Sequence, residues 1–525
     1  MKKALALILA LMIVLSVFVA CGPADTDDGS NKDNASESSG TNTGNTGNSG
    51  NTGNSGNSGD NSGDSSGEEN VQIGNLDPSI NLNEKEIVIL SRGHSAYADE
   101  VCVESSNGDP IDEAVIKRQN DVEKTLNCKL KNVKVSETGS GTTAGGDYAV
   151  IEEIKKTMGP DCTYDIIAAS AYTAFENTAS GICVNLKDVD HIDLSKDYWA
   201  PYFNANASIG NAQYFATGSI SLALRRMIFV TFFNTELTSD RNIEDLYTVV
   251  NEGRWTLDYQ AKILANTWSD EDGETGKTSG DFYGLVTNSH ICVDPYWTAC
   301  DVKILVKNNE DFFELQPETG KLDQILTKLK TLYKDTQTYA FVGESGDKDQ
   351  DKIRKKFTDE EALMATLRLI EVEAEDFRNM ENYGIIPIPK FDESQKEYYS
   401  HAHDQFIVYG IVNKDGSNFD NLGAVLECMA IESERTVKNA YFEIALKGKY
   451  SKDKQSWDML DMIVKNLKID GGLLYTIKLN DITQQLRNSV KNKSATISTT
   501  MFHAIKVQAL NVKLKTMQDE IKGIQ

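Results

Sequence analysis

Apolar residues along this chain recur at two spacings, every second position and every third or fourth, which separate strand-forming from helix-forming segments. Glu86 to Leu90 (EIVIL) is an apolar run of strand length. Ile111, Val115, Val122 and Leu126 then share one helical face, and Leu130, Val133 and Val135 predict a second strand. A helix over 147–158 is stopped by Gly159 and Pro160, and Tyr164 to Ala169 (YDIIAA) predicts a third strand. The succession β-α-β-α-β at these spacings predicts a mostly parallel, doubly wound sheet. Ligands of such sheets bind beyond the carboxyl ends of the strands. Here those ends carry Arg92 and His94 after the first strand, and Ser170 and Tyr172 after the third.

The next distinctive stretch is Asn211 to Leu237. It opens as a strand at Tyr214 and Phe215, breaks at Gly218, then alternates from Ser219 to Arg225. Strict alternation predicts a half-buried strand with Ser219, Ser221 and Arg225 on one face. Met227 to Phe233 is a continuous apolar run suited to a strand buried on both faces. Two readings stay open: a passage between two α/β lobes, or two core strands of one domain. Farther on, Thr256 caps a helix whose Leu257, Ala261, Leu264 and Trp268 form one face, and Leu322 to Tyr333 is a second amphipathic helix. Thr358 and Glu361 have the spacing of a capping box, which predicts a helix through Leu363, Leu367 and Ile370 that carries Arg368. Tyr383 to Lys390 (YGIIPIPK) is extended, its prolines favouring an edge. Gln405 to Val412 predicts a strand, and the remainder is largely helical, over 422–433, 436–446, 456–467 and 502–521.

Composition adds compartment and partners. A length of 525 residues exceeds one ordinary core. A net charge of −26 argues against a nucleic-acid partner. Lys2 and Lys3 precede an apolar run, Ala4 to Ala20, which predicts a signal peptide over residues 1–20. Ala20 before Cys21 resembles the bacterial lipobox, with Phe18 where that pattern prefers Leu; the resemblance implies a diacylated (palmitate-bearing) Cys21 as the new N-terminus. Residues 21–72 are then a tether: 24–70 is nearly all Asn, Ser, Thr, Gly and Asp, with glycine at every third position from Gly44 to Gly59. A coil of that length spans about 40 Å. No other run of 18 apolar residues follows, so the body is expected on the extracellular face of the membrane. Seven further cysteines fit no zinc spacing; Cys162 with Cys183 and Cys292 with Cys300 can pair, and buried free thiols are the other reading.

Several motifs fail on inspection. Gly276-Lys277-Thr278 lacks the first glycine of a phosphate loop, having Glu271 there. Asp270, Asp272, Glu274 and Asp281 imitate a calcium loop, but Thr275 stands where glycine is needed. His401 and His403 share a strand face without a diagnostic third metal ligand. Neither H-E-x-x-H nor G-x-S-x-G occurs. No catalytic residue, metal or cofactor is therefore expected.

The chain resembles the carbohydrate-type extracellular solute-binding lipoproteins of bacterial ABC importers. The motifs are YDIIAASAY (164–172), YFATGSISL (214–222), FFNTEL (232–237), GRWTLD (253–258), YGL (283–285), YGIIPIPKFDESQKEYY (383–399) and DMLDMI (458–463). The resemblance covers about residues 85 to 470, and it lies in the order of these motifs behind the lipobox. It implies a two-lobed, periplasmic-binding-protein-like α/β fold, hinged, with mostly parallel sheets flanked by helices. Lobe one is expected at 85–217 plus 362–410 and lobe two at 218–361 plus 411–525, with 211–237 as the first crossing. The implied function is non-enzymatic: a monomer holds a sugar or oligosaccharide between the lobes and presents it to the permease subunits of the importer. A lipid-anchored glycan hydrolase, and an adhesin or chemosensory lipoprotein, are the alternatives. A sugar site needs aromatic platforms and planar hydrogen-bonding groups. Tyr296 and Trp297 are the candidate platforms, Arg225 and Arg368 the candidate forked donors, and His401 and His403 candidate cleft or hinge residues. With Arg92, His94, Ser170, Tyr172, Ser219 and Ser221 they complete the expected ligand-binding set.

Overall fold

The computed structural model describes residues 76–94, 97, 99–106, 108–135, 148–159, 161–315, 319–334, 337–341, 347–450, 454–491 and 499–524. The signal peptide, Cys21 and the tether expected over 21–72 lie outside them. Eleven strands occur among the described residues: β1 (Lys85–Arg92), β2 (Cys128–Val135), β3 (Ile166–Ser170), β4 (Phe229–Asn234), β5 (Tyr283–Asn288), β6 (Leu305–Lys307), β7 (Phe313–Leu315), β8 (Thr338–Phe341), β9 (Ala362–Arg368), β10 (Tyr383–Ile386) and β11 (Ile407–Ile411).

The first sheet has the order β11-β3-β1-β2. β1 runs parallel to β2 and β3, as the β-α-β-α-β pattern predicts, while β11 is antiparallel to β3. Ile87, Ile89 and Leu90 of β1 and all five residues of β3 are buried, because helices cover this sheet. The helix Pro110–Leu126 starts where the Asp109 carboxylate accepts from the Ile111 amide at 2.8 Å, and ends at Asn127 in the left-handed region. Its buried face is Ile111, Val115, Val122 and Leu126, with the Arg118 guanidinium donating to the carbonyls of Glu100 and Val101.

The second sheet has the order β10-β4-β9-β5-β8. β5 is parallel to β8 and β9; β4 is antiparallel to β9 and β10. β4 is buried throughout, and β10, which leads into Pro387 and Pro389, is an edge strand. The helix expected after Thr358 is instead β9. Thr358 is the last residue of the helix Asp347–Thr358, its hydroxyl donating back to the Lys355 carbonyl, and Glu360 turns the chain at φ 62. All seven residues of β9 are buried between β4 and β5, so an apolar run that pattern alone leaves ambiguous is a central strand.

Residues 211–237 do pass between the sheets. Ala216 bridges Tyr409 of the first sheet, and β4 begins in the second at Phe229. Ile228 bridges Ala402, so the segment leading into β11 runs antiparallel beside this one; Ser400 also bridges Leu467, adding a third strand of chain. The alternating half of the stretch is not a strand. Ser221 caps a short helix, Leu222–Arg226, by accepting from the Leu224 amide. Glu100, from the first lobe, accepts from the Ala223 amide at 2.6 Å and from the Ser221 hydroxyl at 3.1 Å, and so holds that helix N-terminus. At Gly218 (φ 157) a Cβ would lie 2.0 Å from the Tyr198 carbonyl oxygen, which itself accepts from the Ser219 amide. Glycine is required there by close approach.

Two expected lobe boundaries are corrected by this topology. The chain does not return to lobe one at 362–367, since β9 and β10 both belong to the second sheet; it returns at β11. It does not leave lobe one after β11 either, because the helix Phe419–Arg435 packs on Pro110–Leu126. The helix Lys454–Lys465 then packs on β10. The seven cysteines from Cys102 to Cys428 are buried free thiols, and neither candidate pair is bonded.

Burial, acting first, pushes the Glu100 carboxyl from its ordinary 4.5 up to about 7, against the Ala223 amide and Arg226. The folded value lies above the unfolded one, so the folded state retains a proton that the unfolded chain loses. That stabilisation is full below about 4.5 and is lost as pH rises through about 7. Glu100→Gln should remove a fall of roughly 3 kcal/mol across this window. Urea unfolding of both proteins from pH 4.5 to 8 measures it; parallel profiles would show that Glu100 does not titrate in this way.

Candidate functional site

Strand ends of both sheets meet at one cavity of about 410 Å³, within the roughly 300–1,000 Å³ of small-molecule sites. From the first sheet come Arg92, the last residue of β1, with His94 and Tyr97 beyond it, and Tyr172 just past β3. From the second come Arg368, the last residue of β9, and His290 with Ile291 just past β5. His403, Asp404 and Gln405 precede β11, whose antiparallel course brings its start to the carboxyl end of β3. A helix near the C-terminus, Ile482–Lys491, contributes Gln484 and Arg487, with Asp481 just before it. The parallel strands of both sheets therefore point their carboxyl ends at one space, where open α/β sheets bind ligands.

The guanidinium groups are firmly oriented. Arg92 donates to the Gln405 carbonyl at 2.8 Å and lies over the Tyr97 ring, 4.3 Å from its centroid. Arg368 donates to Glu371 at 3.0 Å and to the Met227 sulfur at 3.7 Å, a sulfur that also accepts from the Tyr97 hydroxyl at 3.6 Å. Arg487 forks onto buried Asp294, with Nε at 2.9 Å from Oδ1 and a closer contact from Nη2. Its Nη1 reaches His290 Nε2 at 3.3 Å. A guanidinium only donates, so Nε2 accepts and Nδ1 of His290 carries the proton. Among the described residues that buried Nδ1 has no hydrogen-bond partner, and neither has Nδ1 of His403. Burial, reinforced by Arg487, pushes His290 down to about 4. Burial first, then Arg368 and Arg487, holds His403 well below the usual range, so these rings are neutral near pH 7. Tyr172 is raised to about 12, by burial and then by Asp481 and Asp404; its ring meets Tyr148 edge-on.

Of the residues expected from the sequence, the fold gathers Arg92, His94, Tyr172, Arg368 and His403 at this cavity. Ser170 and His401 are buried behind it. Ser170 donates to the Asp404 carbonyl at 3.3 Å, and the His401 ring stacks parallel to Phe229 with Nδ1 at 3.3 Å from the Thr298 hydroxyl. Ser219, Ser221 and Arg225 do not line it. Arg225 donates to the Ser219 hydroxyl at 3.0 Å and the Gly218 carbonyl, Ser219 bonds Glu434, and Ser221 holds Glu100. The helix at Leu222–Arg226 turns these side chains into local packing rather than onto one strand face. Tyr296 and Trp297 lie on the buried helix Asp294–Ala299 at 0% and 1% exposure, so they are core and not platforms in this structure. His290 was overlooked although it follows a strand in the same manner as His94. Arg487 and Gln484 carried no sequence signal beyond a shared helical face.

Three acidic groups, Asp270, Asp272 and Asp281, lie near one another in the turn before β5. Asp281 is fully committed within the protein, accepting from Trp268, Thr278 and Tyr283.

No protein-family model matches this chain, and no curated protein matches its sequence. Solved structures do resemble it. The GacH receptor of Streptomyces glaucescens GLA.O, determined unliganded and with acarbose and an acarbose homologue, superposes with a TM-score of 0.51 at 13% identity, over 82% of this chain and 99% of that one. A cyclo/maltodextrin-binding protein complexed with maltotetraose gives 0.51 at 12% identity, over 83% and 97%. The fold is thus the two-lobed, periplasmic-binding-protein-like one, α/β with mixed sheets: the expected mostly parallel pairing holds for β1 with β2 and β3 and for β5 with β8 and β9, while β4, β10 and β11 run antiparallel to their neighbours.

Removing the counter-charge of Arg487 tests how far the cavity depends on its buried support. Asp294→Ala strands a buried guanidinium and should lower the unfolding free energy by about 3–5 kcal/mol. Urea titration at pH 7 checks this; a loss under about 1 kcal/mol would mean that solvent reaches the pair.

Proposed function

We propose that this chain is a lipid-anchored extracellular solute-binding protein that captures a sugar or oligosaccharide between its lobes for an ABC importer. The observation that supports this most directly is the cavity itself, walled by the carboxyl ends of both sheets. Two proteins of the same fold carry sugar ligands, maltotetraose in one and acarbose in the other. The lining suits a polyhydroxylated molecule: guanidinium and imidazole donors, the acceptors Asp404 and Asp481, and two glutamine amides.

A ligand here touches Arg92 and Tyr172 on one side and Arg368 and His290 on the other. It therefore binds best when the sheets are drawn together, and by that differential affinity favours the closed state. The paired segments through Ala216–Tyr409 and Ile228–Ala402 form the hinge. The closed body is then a monomeric delivery form presented to a permease, with no cofactor and no turnover. Cys21 holds it to the outer face of the membrane, and residues 21–72 give it reach.

The full chain, purified in mild detergent, should show a raised melting temperature with at least one member of a carbohydrate panel that includes maltotetraose and acarbose. A ligand at 100 times its Kd adds about 2.7 kcal/mol. Shifts with peptides alone would reject the carbohydrate assignment, and cleavage of a bound sugar would reject a purely binding role. Expressed in a bacterium, the chain should take up radiolabelled palmitate and sediment with membranes. Cys21→Ser should abolish both, whereas an unlabelled native chain refutes the anchor.

A further inference from the structure

We propose that the solute is an acidic carbohydrate, whose carboxylate, phosphate or sulfate is held by the guanidinium groups of Arg92, Arg368 and Arg487. This rests on the reading of the cavity as a sugar site and narrows its ligand class. The chain has only 11 arginines and a net charge of −26, yet three of the 11 line one cavity and, among the described residues, no lysine does. They arrive from three separated segments: the end of β1, the end of β9 and the helix near the C-terminus. Solubility does not require this, and the mutual repulsion of three cations opposes it. Arg368 and Arg487 each have a carboxylate partner behind them. Glu371 pairs with Arg368 and Asp294 with Arg487, and neither carboxylate lines the cavity. The counter-ions thus fix the forks in place without filling the space in front of them.

The balance of donors and acceptors points the same way. Guanidinium groups have no acceptor, and Nδ1 of His290, which has no hydrogen-bond partner among the described residues, adds a further donor. An oxyanion is the complementary acceptor, whereas each hydroxyl of a neutral sugar brings a donor of its own. Among the described lining residues, only the two tyrosines Tyr97 and Tyr172 offer an aromatic ring of the kind on which a neutral glucan stacks. Arg92 covers a face of Tyr97 at 4.3 Å, and Tyr296 and Trp297 are core. Asp404 and Asp481, also on the wall, can accept from sugar hydroxyls. The combination selects a molecule that carries both an acidic group and hydroxyls.

The test uses the full chain in detergent and matched pairs that differ in charge: glucuronate with glucose, oligogalacturonate with its methyl ester, glucose 6-phosphate with glucose, and a sulfated with an unsulfated disaccharide. Calorimetric titration should find an acid that binds at least ten times more tightly than its neutral partner. The carboxylate, phosphate and sulfate arms identify which group is recognised. In Arg92→Gln that preference should fall about tenfold or more, with Arg92→Lys intermediate, while the ligand-free melting temperature reports whether each variant is folded. The matched pairs need no variant at all. A neutral sugar that binds as tightly as its acid overturns the acidic ligand and leaves sugar capture standing. Absence of binding by any acid, with neutral sugars bound, has the same meaning. Absence of binding by every carbohydrate overturns both.

Discussion

Ala216 pairs with Tyr409 and Ile228 with Ala402, so the two segments that connect the sheets lie side by side in opposite directions. This pairing sets the spatial relation of everything at the cavity. It delivers one segment into β4 and the other into β11, and each sheet then orients its parallel strands by its own ladder. Because the connections are joined to each other, the carboxyl ends of β1 and β3 come to face those of β5 and β9. Met227 sits within the first connection and accepts from Tyr97 of one lobe and Arg368 of the other, so two cavity residues are tied to the join.

Buried charge is the main cost of this arrangement, and the structure meets it locally. Asp294 and Glu371 each oppose one guanidinium, and Glu371 takes a second from Arg354 at 2.8 Å. The histidines adapt by staying neutral, since burial and the neighbouring arginines both penalise the imidazolium. Glu100 adapts in the opposite sense, by retaining its proton while capping the Leu222–Arg226 helix. The interior therefore combines fixed ion pairs with titratable groups held in their uncharged forms.

How much of this was legible in the sequence depends on how local the deciding interaction is. β1, β2, β3 and their helices follow from periodicity because their burial is set by short-range pattern. β4 was readable as a doubly buried run, and residues 211–237 as a passage between lobes. Ser219–Arg225 was misread because alternation also occurs in a capped helical turn, and its cap partner Glu100 lies 121 residues earlier. β9 was misread for a similar reason: Ala362–Arg368 is a strand only because β4 and β5 flank it. At the site, the rule of strand ends found Arg92, His94 and Tyr172 without any aid from composition. It could not find Arg487, which reaches the cavity from a helix remote in sequence, nor show that Tyr296 and Trp297 are enclosed by their own lobe.

The first sheet is completed by a strand made late. Ser170, at the end of β3, bonds Asp404, which lies 234 residues downstream and just ahead of β11. Until that distant segment docks, β3 keeps an open edge and the first lobe cannot gain its final cooperativity. A pairing across so many residues carries a high loop-closure cost, so joining β11 to β3 belongs among the late events of folding.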